Sequence, residues 1–558
     1  MYSSKELLAL LIPSTVVETL LVMATGITTE RPATIFLWAL SVNFALMFIW
    51  NVFIWPFFFN PLRHLPTVHL TIVSQGPLIG AKVFLRHPRG KIAVDWLRTI
   101  PNEGLIHFRE VLNLSFLVAT NHRALMDVLH TNSYDFVKPP GGRAFLARGL
   151  GYGLILSEGD AHRAQRKAVT PAFTIKNIRS MYPLMWSKTQ LFLTQLEKAI
   201  KFDPAPGEKS GQAGFIEIGG WANRLTLDII GPAAIGRDFQ SLENENDPVS
   251  QNYTAILKPS ADLLLLFAFS LILPQWLVKS IPCKANIVLP RKVGYLRAVF
   301  HDILHEKRKQ LASEKDQDKN IEGDILGTMM RGGEFTDDEL VDQMLTILAA
   351  GHETTAGALT WCCYHLSIEP QIQDKLRQEI HETIPSPDAS ISWQDLEAMP
   401  YLNGVCQEVL RLYPTVPMTG REAIRETTIA GKKIPKGTTV ALCPQAVNRS
   451  YEFWGENADQ FLPERWIDTD PETGKRSPNK HGGASTNFAQ ITFLHGPRAC
   501  IGKDFAKAEF RCAVAGLFGK FELQLKDPEQ KITFGGTLTS QPIEGMHLKL
   551  NKIEGWGV

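Results

Sequence analysis

A mainly α-helical unit with a minor β region, set behind an amino-terminal membrane anchor, is the fold class that this 558-residue sequence predicts. Three observations carry that expectation. Residues 33–59 form an uncharged apolar run longer than the roughly 20 residues that cross a bilayer. Thr336-Asp337-Asp338-Glu339 is a capping box ahead of an apolar-periodic stretch reaching Ser367, a helix of about 30 residues and roughly 45 Å. Short segments at 105–108 and 116–120, and the alternating stretch 424–440 with turns at Ala430-Gly431 and Pro435-Lys436-Gly437, read as strands.

Lys+Arg 58 against Asp+Glu 57 leaves a net charge of +1 and no long basic tract, which argues against a nucleic-acid partner. The seven cysteines are odd in number and form no CxxC pair. They read as reduced thiols of a cytosol-facing protein, not as a disulfide framework or zinc site.

Taken in order, the chain opens with two apolar runs, Leu7 to Thr28 and Ala33 to Phe59, split by Thr29-Glu30-Arg31-Pro32. The second carries Trp38, Trp50 and Trp55 for interfacial positions and reads as a transmembrane helix. The first holds Glu18 at its centre, and a carboxylate at mid-bilayer costs about 2–3 kcal/mol or more. That segment spans, lies in the interface or folds back as a hairpin on the second. Asn60 to Pro66 has prolines at both ends and reads as a stiff, extended connector. Residues 135–151, rich in proline and glycine, read as a flexible loop, and 202–214 as a surface loop. Gly159 to Lys167 reads as a basic helix. Leu263 to Leu273 is too short to span, leaving core or a second membrane-touching surface. Residues 301–324 read as a solvated helix end and linker, and Phe505 to Leu517 as an apolar helix.

Three patterns carry chemistry. The middle of the long helix reads Ala349-Ala350-Gly351-His352-Glu353-Thr354-Thr355, polar groups where a core helix should be apolar. Taken alone, the threonines also fit local back-bonding. Glu408 and Arg411 stand three apart on one helical face, a spacing that in isolation is a weak surface pair. Phe493-Leu494-His495-Gly496-Pro497-Arg498-Ala499-Cys500-Ile501-Gly502 places a cysteine in a glycine loop with an arginine two residues before it. Glycine allows tight backbone against a planar ligand, arginine meets carboxylates, and a thiolate is a metal ligand. A shorter Gly-x-Arg-x-Cys would read equally as a turn with a buried thiol.

The full Phe-x-x-Gly-x-Arg-x-Cys-x-Gly pattern resembles the haem-binding loop of the cytochrome P450 family. The resemblance extends in consistent order over about Pro61 to Leu550, through Ala-Gly-x-Glu-Thr-Thr, Glu408-x-x-Arg411 and Pro463-Glu464-Arg465-Trp466. It implies a triangular helical prism with haem b on a Cys500 thiolate, Phe493 beside the sulfur, and Gly496 and Gly502 shaping the loop. By the same resemblance Arg498, Arg166, Arg421 and His162 meet the haem propionates, His162 standing where the family usually has tryptophan. Gly351 lets haem approach the helix, Glu353 and Thr354 deliver protons on the distal side, and Glu408, Arg411 and Arg465 form a buried triad under the loop. The implied organisation is an anchor at 1–59 with 33–59 spanning, a hinge at 60–67 and a catalytic domain at 68–558. The implied activity is that of fungal microsomal members: monooxygenation of an apolar small molecule, in secondary metabolism of terpenoid or polyketide type, with O2 and electrons from NADPH. A separate NADPH-cytochrome P450 reductase would supply the electrons, docking on Arg163, Lys167, Lys503 and Lys507. The site would be the endoplasmic reticulum bilayer, the catalytic domain facing the cytosol. A haem-thiolate isomerase or dehydratase, a fatty-acid or xenobiotic hydroxylase, and a non-catalytic haem or lipid carrier are the competing readings.

Overall fold

The computed structural model describes residues 4–26, 30–68, 90–109, 113–202, 212–244, 246–257, 260–313, 323–536, 539–554 and 556. Most of the expected loop at 202–214 and part of the linker within 301–324 lie outside the described residues, as do Thr537 and Leu538, which by the resemblance form a pocket tip with Thr539.

Two helices open the chain, α1 (Ser4–Thr25) and α2 (Pro32–Ile49), the second continuing in wider π-type turns over Trp50–Phe59 around Pro56. They pack on each other as a hairpin. Asn43 Nδ2 donates to Glu18 Oε2 at 2.7 Å and to Thr15 Oγ1 at 3.2 Å, so the carboxylate that disfavoured α1 in a bilayer has a partner on α2. Pro32–Phe59 is, among the described residues, the one helix long and apolar enough to cross a membrane.

The connector is not extended. Pro61–His64 forms a 3-10 turn capped by Asn60, and Leu62 and Leu65 are buried with Leu117, Val440 and Ile491. Burying two leucines outweighs the stiffness that the prolines suggest.

A five-stranded sheet follows, in the order β1 (Leu105–Arg109), β2 (Ser115–Ala119), β8 (Thr439–Leu442), β5 (Thr419–Ala423), β3 (Phe136–Val137). β2 and β8 are parallel and the other pairs antiparallel. A second sheet joins β4 (Ala213–Glu217) to the carboxyl-terminal strands 521–525 and 547–552. The hairpin β6 (Thr427–Ile429) and β7 (Lys432–Ile434) turns at Ala430-Gly431, both with positive φ.

The expected flexible loop at 135–151 instead holds β3 and helix α3 (Pro140–Leu150). Pro140 sits in the first turn, where its missing N–H costs nothing. Gly141 lets a neighbouring chain pass: a Cβ there would lie 2.0 Å from Ser270 O. The glycine marks close packing, not mobility. Ser270 belongs to the helix at Ala261–Ile272, which buries Leu266 and exposes Leu264, Leu265 and Leu271. That run is therefore both core and surface.

The bulk is helical: α4 (Gly159–Val169), α5 (Tyr182–Phe202), α6 (Ile218–Ile235), α7 (Pro248–Leu257), α8 (Asp337–Ile368), α9 (Pro400–Leu412) and α10 (Lys503–Lys520). α8 starts with the expected box: Thr336 and Glu339 cap each other's backbone. Its apolar faces carry Leu340, Met344, Leu348, Leu359 and Trp361 into the main core, against α6 and α10. Its polar middle is thereby held at a fixed place between those helices.

Candidate active site

The cysteine loop is built on the charge triad. Glu408, on α9, is fully buried and accepts from Arg411 Nε (2.8 Å) and Nη2 (2.6 Å), Arg465 Nε (3.0 Å), Leu462 N (3.0 Å) and Trp466 Nε1 (2.8 Å). Burial alone would raise its carboxyl pKa. The Arg411 hydrogen bonds, then the charges of Arg411 and Arg465, overturn this and hold it below the usual carboxylate range.

From the triad, Asn448 carries the connection to the loop. Arg411 Nη1 donates to Asn448 O (2.9 Å), Asn448 Nδ2 donates to Thr492 Oγ1 (2.8 Å), and Ile491 N donates to Asn448 Oδ1 (2.9 Å). Asn448 was not singled out in the sequence. Its signal was an amide, with Gln445 three residues earlier, in the otherwise apolar run before Arg449.

The loop itself is closed by Cys500 N donating to Phe493 O at 2.8 Å. Gly496 has φ +72°, and a Cβ there would lie 2.0 Å from Leu129 O, so both conformation and space require glycine. Gly502 has φ −86°, and a Cβ there would meet only Phe173 at 3.8 Å. The expected backbone freedom is thus needed at the first glycine and not at the second. Leu494, with φ +54°, takes the other left-handed position. Cys500 is exposed, and burial of its thiol raises the pKa. Gly502 N–H, Arg166 and Lys503 oppose that rise. Arg166, on α4, donates from Nη1 to Ala499 O at 2.7 Å, directly beside the cysteine.

Above the loop lies a basic cradle. Arg498 donates to Phe136 O and pairs with Glu158, Nη2 to Oε2 2.6 Å, while its Nε has no hydrogen-bond partner. Arg421, on β5, is buried and donates to Gly420 O (2.8 Å), with burial and then Arg498 pushing it down to about 10. Lys138 Nζ lies 3.6 Å from Glu158 Oε1, and burial, then Arg421, pushes it down to about 7. His162 Nδ1 faces Tyr134 Oη at 3.3 Å and is pushed down to about 4, by burial first and then by Arg498, so its ring is neutral at physiological pH. Lys138, Glu158 and Tyr134 are functional candidates that sequence reasoning missed. Buried cations in excess of carboxylates, with an unsatisfied guanidinium N–H, fit a ligand carrying carboxylates such as haem.

On α8, Glu353 accepts from Thr539 Oγ1 (2.7 Å) and Gln541 Nε2 (3.4 Å), both from the segment before the last strand. Burial raises its pKa, and the Thr539 hydrogen bond opposes this. Thr354 Oγ1 donates to Ala350 O at 2.6 Å, the back-bond considered as the local alternative, which leaves the oxygen free as an acceptor. Gly351 differs from expectation. Its missing Cβ would lie 2.8 Å from Ile230 Cγ1 on α6, so its small size serves helix packing and its Cβ direction is not toward a ligand.

On the surface near Cys500, Lys167 and Lys503 are exposed, and Arg163 pairs with Asp160 at 2.5 Å. Lys507 departs from the expected exposed docking charge: it is half-buried over the Phe493 ring, and burial pushes it down to about 7.

Residues 106–549 match the family model described as Cytochrome P450. The chain is 37% identical over 469 residues to cytochrome P450 monooxygenase sphH of Aspergillus fumigatus, covering 83% of each chain. It is 36% identical to cytochrome P450 monooxygenase ALT8 of Alternaria alternata, covering 92% of this chain and 93% of that one. To cytochrome P450 monooxygenase FUM15 of Gibberella moniliformis it is 35% identical, covering 91% of each.

Proposed function

The chain belongs to the cytochrome P450 family, monooxygenases that carry haem on a cysteine thiolate, and from that premise we propose that Cys500 is the thiolate and that the enzyme oxidises an apolar small molecule with electrons passed from NADPH by a separate reductase. The observation that carries the reading is the loop of Cys500 standing beneath a cradle of buried cations and tied to a buried triad. Bound haem supplies the redox chemistry: with two electrons and two protons, one atom of O2 enters the substrate and the other leaves as water.

The chain's own residues hold and feed that chemistry. Arg498 and Arg421, with Lys138, take the two carboxylates of the cofactor. His162 contributes a neutral ring N–H. Arg166 fixes the carbonyl before Cys500 and favours the thiolate by its charge. Glu353 keeps a proton to higher pH than an exposed glutamate, and Thr539 orients its carboxyl. Thr354 offers acceptor lone pairs on the same helix.

The reductase docks on Arg163, Lys167 and Lys503, without Lys507. If reversing those three charges leaves the salt dependence of electron transfer unchanged, the docking surface is wrong. The hairpin α1–α2 lies in the endoplasmic reticulum bilayer with Glu18 clasped by Asn43, which returns the start of α1 to the cytosolic side of the catalytic domain. Exposed Leu264, Leu265, Leu271 and Trp276 form a second contact with lipid. Protease digestion of intact microsomes should remove a tag placed before α1; full protection of that tag contradicts the hairpin.

Substrate class follows the relatives, which are fungal monooxygenases, toward a secondary metabolite of terpenoid or polyketide type. Comparing metabolites of a deletion strain and its parent identifies the accumulating compound. Turnover of that compound by the purified enzyme should require NADPH, reductase and O2 together. Turnover without O2 would favour isomerase or dehydratase chemistry instead.

A further inference from the structure

The cradle holds three side chains of cationic type, Lys138, Arg421 and Arg498, and one carboxylate, Glu158. Glu158 stands one residue before α4 and reaches back to the β3–α3 junction: its Oε1 accepts Lys138 N at 2.8 Å and lies 3.6 Å from Lys138 Nζ. Its other oxygen lies 2.6 Å from Arg498 Nη2. The Glu158 side chain is 7% exposed and that of Arg498 is 5% exposed. One carboxylate thus holds members from two separate stretches of chain in place. An unpaired buried guanidinium is strongly unfavourable, so Arg498 needs this partner before any ligand arrives.

The charge count gives Glu158 a second consequence. Arg166 sits at the cysteine, its hydrogen bond made to Ala499 O, and His162 is neutral. The carboxylates of a bound cofactor would hold Lys138 protonated against its burial, and the cradle proper then has three cations against one anion, a net charge of two, the complement of a cofactor with two carboxylates. Without Glu158 the rim would carry one positive charge too many. Reduction of the iron adds negative charge to the group held there, and inside a protein that charge interacts strongly with its surroundings.

We propose that Glu158 is the resident counter-charge of the haem propionate cradle: it positions Lys138 and Arg498 and, by trimming the rim to charge balance, lowers the iron's reduction potential. The proposal rests on the reading of the Cys500 loop and its cradle as the haem site. Lys138 is its opposite number, a cation whose removal acts with the other sign.

The test uses the full-length, haem-loaded protein and two charge-removing variants, Glu158→Gln and Lys138→Gln, with Glu158→Asp as the conservative control. The readouts are the ferric/ferrous potential by spectroelectrochemistry and the Soret band of the reduced carbon monoxide complex. Glu158→Gln should shift the potential upward and Lys138→Gln downward, the double variant should return toward the parent, and Glu158→Asp should stay near it. The thiolate-type Soret band should persist in all four. An unmoved potential in Glu158→Gln, or shifts of the same sign in both single variants, overturns the proposal and reduces Glu158 to a structural role. If Glu158→Gln fails to take up haem, Lys138→Gln decides: no downward shift there overturns the proposal. Failure of the underlying haem-site reading is distinguished by the parent protein itself lacking the thiolate-type band.

Discussion

Glu408→Ala removes the acceptor on which five donors converge: two N–H groups of Arg411, and one each from Arg465, Leu462 and Trp466. Arg411 is fully buried and cannot turn to water. It keeps the carbonyls of Asn448 (2.9 Å), Ala458 (2.6 Å) and Gln460 (2.9 Å), which satisfy part of its hydrogen-bonding capacity but supply no countercharge. Removing one partner of a buried pair costs about 3–5 kcal/mol, and the stranded N–H groups of Trp466 and Leu462 add about 1 kcal/mol or more each. A loss of about 5 kcal/mol is a large part of the 5–15 kcal/mol that typically separates folded from unfolded chains. Because Asn448 links Arg411 to Ile491 and Thr492, disorder at the triad reaches the cysteine loop. The variant should accumulate with little or no haem, measured as haem per protein by the pyridine haemochrome, and should unfold at lower temperature than the parent. Full haem content in Glu408→Ala would refute the coupling between triad and loop. The same carboxylate also makes stability depend on acid. Its folded pKa is depressed, so its contribution is complete above the unfolded carboxyl pKa of about 4.3 and is lost as pH falls through the lower folded value.

Gly496→Ala should sharply reduce haem content, since the left-handed φ costs about 1–2 kcal/mol with a side chain and the Cβ would meet Leu129 O; Gly502→Ala, with φ −86°, should retain haem, and equal behaviour of the two would contradict the loop geometry. Thr539→Val removes the hydrogen bond that holds Glu353 down, so the alkaline limb of the turnover–pH profile, where the carboxyl gives up the proton it must deliver, should move upward; an unmoved limb would show that Glu353 does not feed the reaction. Gly351→Ala should lower thermal stability by forcing Ile230 aside while leaving the reduced carbon monoxide spectrum unchanged; an altered spectrum at unchanged stability would return Gly351 to the haem face.

The local signals of this chain were legible in its sequence. The Thr336–Glu339 box and the apolar period of α8 are written within one helix, and the three-residue spacing of Glu408 and Arg411 fixes their shared face before any fold is known. The strands at 105–109 and 115–119 were legible as short apolar segments and fell within one residue of expectation. Signals that depend on a distant partner were not legible. Gly141 reads as a loop residue until Ser270 is brought against it, and Gly351 reads as a ligand-facing gap until α6 supplies Ile230. Lys138 and Glu158 are separated by a whole helix, and only the fold places a carboxylate among three cations. Pro61 and Pro66 suggested stiffness, while the burial of Leu62 and Leu65 depended on a core that the local pattern does not display.

Replacing Cys500 with serine tests the centre of this structure most directly. The reduced carbon monoxide complex of the parent should show the red-shifted Soret band of a thiolate ligand, and Cys500→Ser should abolish it, whether haem is lost or held without sulfur. Persistence of that band in Cys500→Ser would mean that another cysteine ligates the iron, and the cradle of Arg421, Arg498, Lys138 and Glu158 would no longer mark the haem site.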